Sequence, residues 1–310
     1  MSFYLALDVG GTKTDYALAD ETREIARVRT GTIKRMRTDD ATATQHLESA
    51  LKALTAISGV SMQAIRCTCI GTAGETVPLV ADWLHAAFKE RVSGDLLLLG
   101  DVEIALDAAF PGEPGIVVIA GTGSNVAARA HGGKLLNAGG WGPALADQGS
   151  GHRIGLRALR ATFLAIDEAE DDATRAVPTQ LLPAILDFWD LGSRDYLIEY
   201  ANSIPAPDFS ALTGLVLAVA ETGDATAKAV LKREGEALAY LVRMIAHRMR
   251  RLAPDAEWVP SLAFTGSILE KVAPVREALM ASLRTEFPTI EAPSGVIDPI
   301  AGAIWRARNG

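Results

Sequence analysis

LALDVGGTKTDYALAD, residues 5–20, has a counterpart further along the chain in GIVVIAGTGSNVAARAH, residues 115–131. Gly11-Thr12-Lys13-Thr14 lies over Gly121-Thr122-Gly123-Ser124. In both copies a β-rich run enters a glycine-threonine turn, an alternating run leaves it, and a third strand ends in glycine, at Gly31 and at Gly139-Gly140. Glycine frees backbone N–H groups to point at one anion, and the neighbouring hydroxyls add donors. A P-loop requires glycine directly before lysine and then a helix, whereas Lys13 follows Thr12 and is followed by strand-like alternation. A dinucleotide fingerprint fails for the same reason, because its glycines open a helix. One such turn alone reads as an ordinary hairpin. Two with matched flanks predict a duplicated fold that holds a polyphosphate in a cleft between related halves.

The periodicities fill in the rest. Asp39 and Asp40 can cap a helix with apolar positions Ala43, Leu47, Ala50, Leu51, Leu54 and Ile57. A strand Ile65 to Ile70, a helix near Leu79 to Phe88, a strand Leu96 to Leu99 and a helix Val102 to Phe110 follow. The order β-β-β-α-β-α-β-α is that of a ribonuclease-H-like domain, so the expected fold class is α/β with two such domains. Pro111-Gly112-Glu113-Pro114-Gly115 marks the boundary. The expected domains are 1–114 and 115–310, the second carrying a helical insertion over 167–225. A long helix from about Ala227 to Leu252, a strand Leu262 to Thr265, one helix Ile268 to Leu283 and a last helix after Asp298-Pro299 complete the chain. That last helix, about 298–310, is expected to pack back on the first domain.

Composition narrows the function. With 310 residues and 49% hydrophobic content, two cores can be filled. A net charge of -8 argues against a nucleic-acid surface, which needs clustered cations. No apolar run reaches membrane-spanning length and no signal-peptide pattern opens the sequence, so a cytoplasmic location is expected. Cys67 and Cys69 stand alone in IRCTCIG, without histidine nearby, and read as small core residues rather than metal ligands.

Several polar residues stand where chemistry is expected. Asp8 ends an apolar strand just before the first glycine turn, where its carboxylate can hold the Mg²⁺ of a bound nucleotide. Asp101 follows Leu96-Leu97-Leu98-Leu99-Gly100 at the carboxyl end of a strand, the end that binds ligands in open α/β sheets. There it can take the proton of an attacking hydroxyl, or cap the helix starting at Val102. NAGGWGPALADQGSGHRIG, residues 137–155, offers Gly140, the aromatic face of Trp141, and the hydrogen-bonding side chains of Asp147 and Gln148. This loop suits a sugar, a phosphate or a structural hinge.

DVGGTKT, GDVEIAL, IAGTGSNVAAR, GGWGPALADQGSGHRIG, LAFTGSIL and DPIAGAIW occur in the order found in N-acetylglucosamine kinases. The chain resembles that family from Leu5 to Trp305, in the branch of the sugar kinase, actin and heat-shock-chaperone superfamily shared with benzoyl-CoA reductase activator ATPases. The resemblance implies an ATP- and Mg²⁺-dependent kinase, a homodimer, that phosphorylates an amino sugar at its 6-hydroxyl. It makes Gly10, Gly11, Thr12 and Lys13 the first phosphate motif and Gly121, Thr122, Gly123 and Ser124 the second. It makes Asp101 the catalytic base, Asp147 the sugar-hydroxyl ligand and Gly266-Ser267 the adenosine loop, and places Thr72, Ala73 and Gly74 at the sugar pocket. Two departures bear on the sugar: Gln148 stands where the family usually has glutamate, and Thr30-Gly31-Thr32-Ile33-Lys34-Arg35-Met36-Arg37 lacks the asparagine common after the third strand. Lys34 or Arg35 could meet a carboxylated amino sugar such as N-acetylmuramic acid. The competing expectation is an activator ATPase that couples hydrolysis to electron transfer through a cysteine-bound iron–sulfur cluster.

Overall fold

The computed structural model describes residues 2–310 except 173, 175–176, 254–257 and 292. In chain order the elements are β1 (Phe3–Val9), β2 (Lys13–Ala19), β3 (Glu24–Gly31), α1 (Asp40–Ser58), β4 (Ile65–Thr72), α2 (Pro78–Arg91), β5 (Asp95–Leu99) and α3 (Asp101–Ala109). They continue with β6 (Gly115–Ala120), β7 (Ser124–Arg129), β8 (Leu135–Gly139), α4 (Gly151–Asp171), α5 (Leu181–Phe188), α6 (Arg194–Ala201), α7 (Thr213–Glu221) and α8 (Ala225–Arg250). The last are β9 (Leu262–Thr265), α9 (Ser267–Lys271), α10 (Ala273–Arg284) and α11 (Pro299–Asn309). The chain divides into two compact units, Met1–Gly115 with Ile297–Gly310, and Ile116–Val296.

In the first unit the sheet order is β3-β2-β1-β4-β5, with β1 antiparallel to β2 and parallel to β4. β1 is central, and its Leu5 and Leu7 face one core while Tyr4 and Ala6 face another. That is the reading of a strand covered on both sides. Ile57, expected in the core, is exposed instead, because the apolar stripe of α1 closes at Leu54 and the helix ends at left-handed Gly59. On the other face α11 packs against α3 and β1. Gly302 makes this possible: a Cβ there would lie 1.8 Å from the Ile104 carbonyl oxygen, so the two helices meet backbone to backbone. An ion pair between Arg306 and the fully buried Asp107 fixes their register.

The second unit has the order β8-β7-β6-β9 and a larger helical layer. Ser150 caps α4, its hydroxyl accepting from the Arg153 N–H at 3.1 Å. The region expected as an insertion forms α5, α6, a 3-10 turn at Phe209–Leu212 and α7. That turn is pressed into α4, since a Cβ on Gly155 would meet the Phe209 carbonyl oxygen at 1.9 Å. The single helix expected over Ile268 to Leu283 is two. The backbone leaves helical geometry at Val272, with φ -106° and ψ 75°, and α10 restarts with Pro274 in its first turn. Proline has no N–H to continue the α9 ladder and suits a helix start.

Candidate functional site

The first unit brings together a cluster of carboxylates. Asp8 on β1 lies across from Asp15 on β2 and beside Gly71 on β4. Burial pushes its carboxyl up to about 7, and the nearby charges of Asp101, Asp15 and Asp298 add to the rise against the opposing pull of Lys13. The Lys13 ammonium, 3.8 Å from Asp15, sits over the same group. Such mutual repulsion around an oxygen-rich site is what a divalent cation relieves, so the chemistry of the donor set is compatible with Mg²⁺.

The first glycine turn is tied down from outside its own hairpin. The Gly10 N–H donates to the Lys13 carbonyl at 3.0 Å, and the Gly10 carbonyl accepts from the Thr32 hydroxyl. The Thr32 N–H donates in turn to the Thr12 carbonyl at 3.1 Å. Gly11 and Thr12 stay exposed at the tip.

Asp101 does not cap α3. The cap is Gly100, whose N–H donates to the Glu103 carboxylate at 3.2 Å, and Asp101 occupies the first helical position, its carboxylate accepting from the Val102 N–H at 2.9 Å. Burial raises the Asp101 pKa, Glu75 adds to this, and the Val102 N–H and the Lys34 ammonium oppose it. Lys34 is itself pushed down by burial and drawn back up by Asp101 and Glu75. It makes no hydrogen bond or ion pair through its ammonium among the described residues. Arg35 is committed elsewhere, to the Thr38 carbonyl and to Asp40 at 3.6 Å. Thr72 is fully buried, and its hydroxyl donates to the Val9 carbonyl at 3.0 Å, which binds β4 to the end of β1. Ala73 and left-handed Gly74 follow it, with the Met36 sulfur 3.7 Å from where a Gly74 Cβ would be.

In the second unit the glycine turn lines a cavity of about 230 Å³. Gly121 and Thr122 form one wall, Ser267 and Lys271 another, and Ser210 with Thr213 from the helical region a third. Gly266 has φ +98°, and a Cβ there would lie 2.3 Å from the Ala120 carbonyl oxygen, so only glycine turns the chain into α9 at this point. The Gly121 carbonyl accepts from the Gly151 N–H at 2.8 Å, which pins the turn to the start of α4. Ser210, Thr213 and Lys271 carry no sequence signature. Ser210 and Thr213 arrive through the packing of the 3-10 turn and α7 on α4, and Lys271 comes from the end of α9.

Asp147 sits behind the same turn. It is buried in a left-handed conformation, φ 65°, and its carboxylate lies 3.2 Å from where a Gly123 Cβ would stand. Burial raises its pKa, while the N–H groups of Ser124 and Gly142 oppose the rise. The Ser124 hydroxyl donates to the Gln148 carbonyl at 2.8 Å. Two buried side-chain acceptors here have no partner, Gln148 Oε1 and Asn125 Oδ1. Asn125, at the strand edge opposite Gly139 and against Gly140, is a residue that sequence reasoning passed over. Trp141 is 74% exposed on the glycine-rich loop. Its indole is available for stacking, not core packing.

Cys67 and Cys69 are free and buried in β4, and burial pushes the Cys69 thiol up to about 12. Among the described residues no group of His, Cys, Asp and Glu is arranged to hold a metal by itself, and no helix is long and apolar enough to cross a membrane.

An N-acetylmuramic acid/N-acetylglucosamine kinase of Clostridium acetobutylicum is 28% identical over 257 residues, covering 81% of this chain and 80% of that protein. An N-acetyl-D-glucosamine kinase of Dictyostelium discoideum is 27% identical over 249 residues, covering 78% and 75%. A crystal structure from Chromobacterium violaceum, provisionally described as an N-acetylglucosamine kinase, superposes with a TM-score of 0.71 at 27% identity over 98% of both chains. Residues 5–307 match the family described as BadF/BadG/BcrA/BcrD ATPases. With all but the ends of the chain inside that match, the protein belongs to the BadF/BadG/BcrA/BcrD ATPase family.

Proposed function

We propose that this protein is an ATP-dependent kinase that transfers a phosphoryl group to the 6-hydroxyl of an amino sugar, N-acetylglucosamine or a close relative. The observation that carries the reading is the cavity of the second unit, which the glycine-threonine turn at Gly121-Thr122 lines together with Ser267, the residue after Gly266. Backbone N–H groups and hydroxyls suit phosphates there, and the apolar side chains of Leu217, Ile268 and Val272 suit a purine. Both relatives with an assigned activity are kinases acting on N-acetylated amino sugars.

In this reading Asp101 accepts the proton of the attacking hydroxyl, and its raised pKa brings the carboxylate nearer to a working base. Gly11, Thr12 and Lys13, and separately Thr122 and Gly123, donate to phosphate oxygens as charge builds on them, while the Gly121 N–H closes its own turn on the Gly123 carbonyl at 2.8 Å. Asp8 would hold Mg²⁺, which neutralises phosphate charge when bound. Gln148 and Asn125, with their unpartnered acceptors, and Asp147 orient sugar hydroxyls. The setting that goes with this reading is a cytoplasmic homodimer.

One observation favours a carboxylated sugar as a second substrate. Of the cations after β3, Arg35 is spent on Asp40 and Thr38, whereas Lys34 is half-buried near Asp101 without an ion partner among the described residues. A lactyl carboxylate on the sugar would provide one.

ADP release measured with N-acetylglucosamine, glucosamine, N-acetylmuramic acid, glucose and no sugar tests the proposal. Sugar-dependent release is expected with an amino sugar. Equal hydrolysis without sugar would instead favour an electron-transfer activator. Buried Cys67 and Cys69 suit that role poorly, since cluster ligation across a subunit contact needs exposed thiolates.

A further inference from the structure

Between α4 and α8 in the second unit lies a cavity of about 470 Å³, lined by residues that the proposed kinase machinery does not use. Arg153, Arg157 and Arg160 project into it from successive turns of one face of α4, and Arg233 enters from α8. Four arginines line this one cavity in a chain whose net charge is -8. Fully buried Glu234 pairs with Arg157 and lies 3.8 Å from Arg153, and Glu168 lines the cavity as a second carboxylate. Arg160 and Arg233 have no ion pair among the described residues. Apart from Thr226 the rest of the wall is apolar, and Leu164 and Val177 in it are 57% and 46% exposed. A volume of this size is typical of small-molecule pockets. Unpaired guanidinium groups beside exposed aliphatic wall match a ligand that is part anion, part hydrocarbon.

The same Glu234 reaches the loop that carries Asp147. One carboxylate oxygen faces Arg157, and the other accepts the Gly149 N–H at 2.7 Å. Gly149 is wedged on α8, where a Cβ would lie 2.2 Å from Leu238 Cγ. On either side of it stand Gln148, with its unpartnered acceptor, and Ser150, the cap of α4. An anion drawn to Arg157 competes with Glu234 for the guanidinium, and the hold of Glu234 on Gly149 changes with it.

We propose that this cavity binds a small amphiphilic organic anion, a phosphate, sulfonate or carboxylate on an apolar body, and that Glu234 relays its occupancy to the Asp147 loop. The binding claim stands apart from the kinase reading, and only the relay rests on it.

The probe is 1-anilinonaphthalene-8-sulfonate, titrated by fluorescence with saturating ATP present so that the nucleotide cavity is filled. Uncharged N-phenyl-1-naphthylamine serves as the control for the apolar body. Wild type is expected to bind the sulfonate at one saturable site. Arg160→Ala/Arg233→Ala, both exposed positions, should weaken it at least about tenfold, the scale of a charge-assisted contact, and leave the uncharged dye unchanged. Ala229→Leu, which fills the cavity, should weaken both dyes. Identical sulfonate titrations in wild type and the double variant, at unchanged circular dichroism, would overturn the site. So would a double variant that changes only the oligomeric state, because the face would then be an interface. Displacement by inorganic phosphate as effective as by the dye itself would overturn the amphiphilic class. For the relay, the sulfonate should shift the sugar KM in wild type and not in the double variant, and binding without that shift would overturn it. A chain with no sugar-dependent turnover would refute the kinase reading, while the titrations would still decide the pocket.

Discussion

Asp8→Asn should make the protein more stable at neutral pH while abolishing Mg²⁺-dependent turnover. The native Asp8 carboxyl titrates near 7, against an ordinary value of 3.8, because burial and the charges of Asp101, Asp15 and Asp298 disfavour its ionised form. A raised native pKa means that the folded state holds the proton more tightly than the unfolded chain. The resulting stability is complete below pH about 3.8 and is lost as pH rises through about 7. Each pKa unit is worth about 1.4 kcal/mol, so the ceiling is about 4 kcal/mol. Asp8 keeps some contact with solvent, and screening brings the expected cost of its charge to about 2 kcal/mol. Asparagine carries no charge at any pH and nearly preserves the shape.

Urea unfolding of both proteins across pH 4 to 8 measures this. The variant's advantage should be smallest at pH 4, widen to about pH 7 and then stay level. Adding MgATP at pH 8 should reverse the order, because the ligand stabilises only the form that binds it. A stability difference that is constant with pH, or one that grows toward acid, would show that Asp8 is an ordinary ionised carboxylate and would remove the electrostatic argument for a cation beside it.

Asp101→Asn should lower kcat by about 10²- to 10⁴-fold, the usual worth of a general base, with ATP affinity by calorimetry nearly unchanged; near-normal turnover would remove Asp101 from the chemistry. Lys34→Ala should reduce kcat/KM for N-acetylmuramic acid by about tenfold and change N-acetylglucosamine far less, so equal losses on both would leave Lys34 without a role in choosing the sugar. Gly266→Ala forces a Cβ against the Ala120 carbonyl at a left-handed position and should weaken ATP binding and lower the melting temperature together, at about 1–3 kcal/mol. A variant with wild-type melting and ATP affinity would mean that the Gly266-Ser267 turn tolerates movement and does not shape the cavity.

The parts of the site that could be read from sequence are those where one position admits one chemistry. Gly266 is reached only through the family resemblance, and the structure supplies its reason: a positive φ and an Ala120 carbonyl that leaves no room for a Cβ. Asp8 and Asp101 are visible because an apolar strand delivers a charge to its end, an expense of burial that needs a reason. The two turns are visible because the flanking strands repeat. The walls of the cavity beside Gly121 fail every such test. Ser210, Thr213 and Lys271 are ordinary surface residue types at no fixed spacing from Gly121; the first two meet it because Gly155 lets the Phe209 carbonyl touch α4, and Lys271 because α9 follows the Gly266 turn. Asn125 hides for a different reason: on an alternating strand it reads as the solvent-facing partner of Val126, and only the left-handed Gly140 packed over it turns its carbonyl oxygen into a buried, unpartnered acceptor. The arginine cavity combines both cases. Arg153, Arg157 and Arg160 read as the solvated face of an amphipathic helix, and the same stripe becomes a pocket wall once α8 lies beside it and Glu234 is sealed beneath. A charged helical stripe therefore cannot be assigned to solvent from its own periodicity. What decides the matter is whether a neighbouring helix carries a buried opposite charge at the facing position, as α8 does with Glu234.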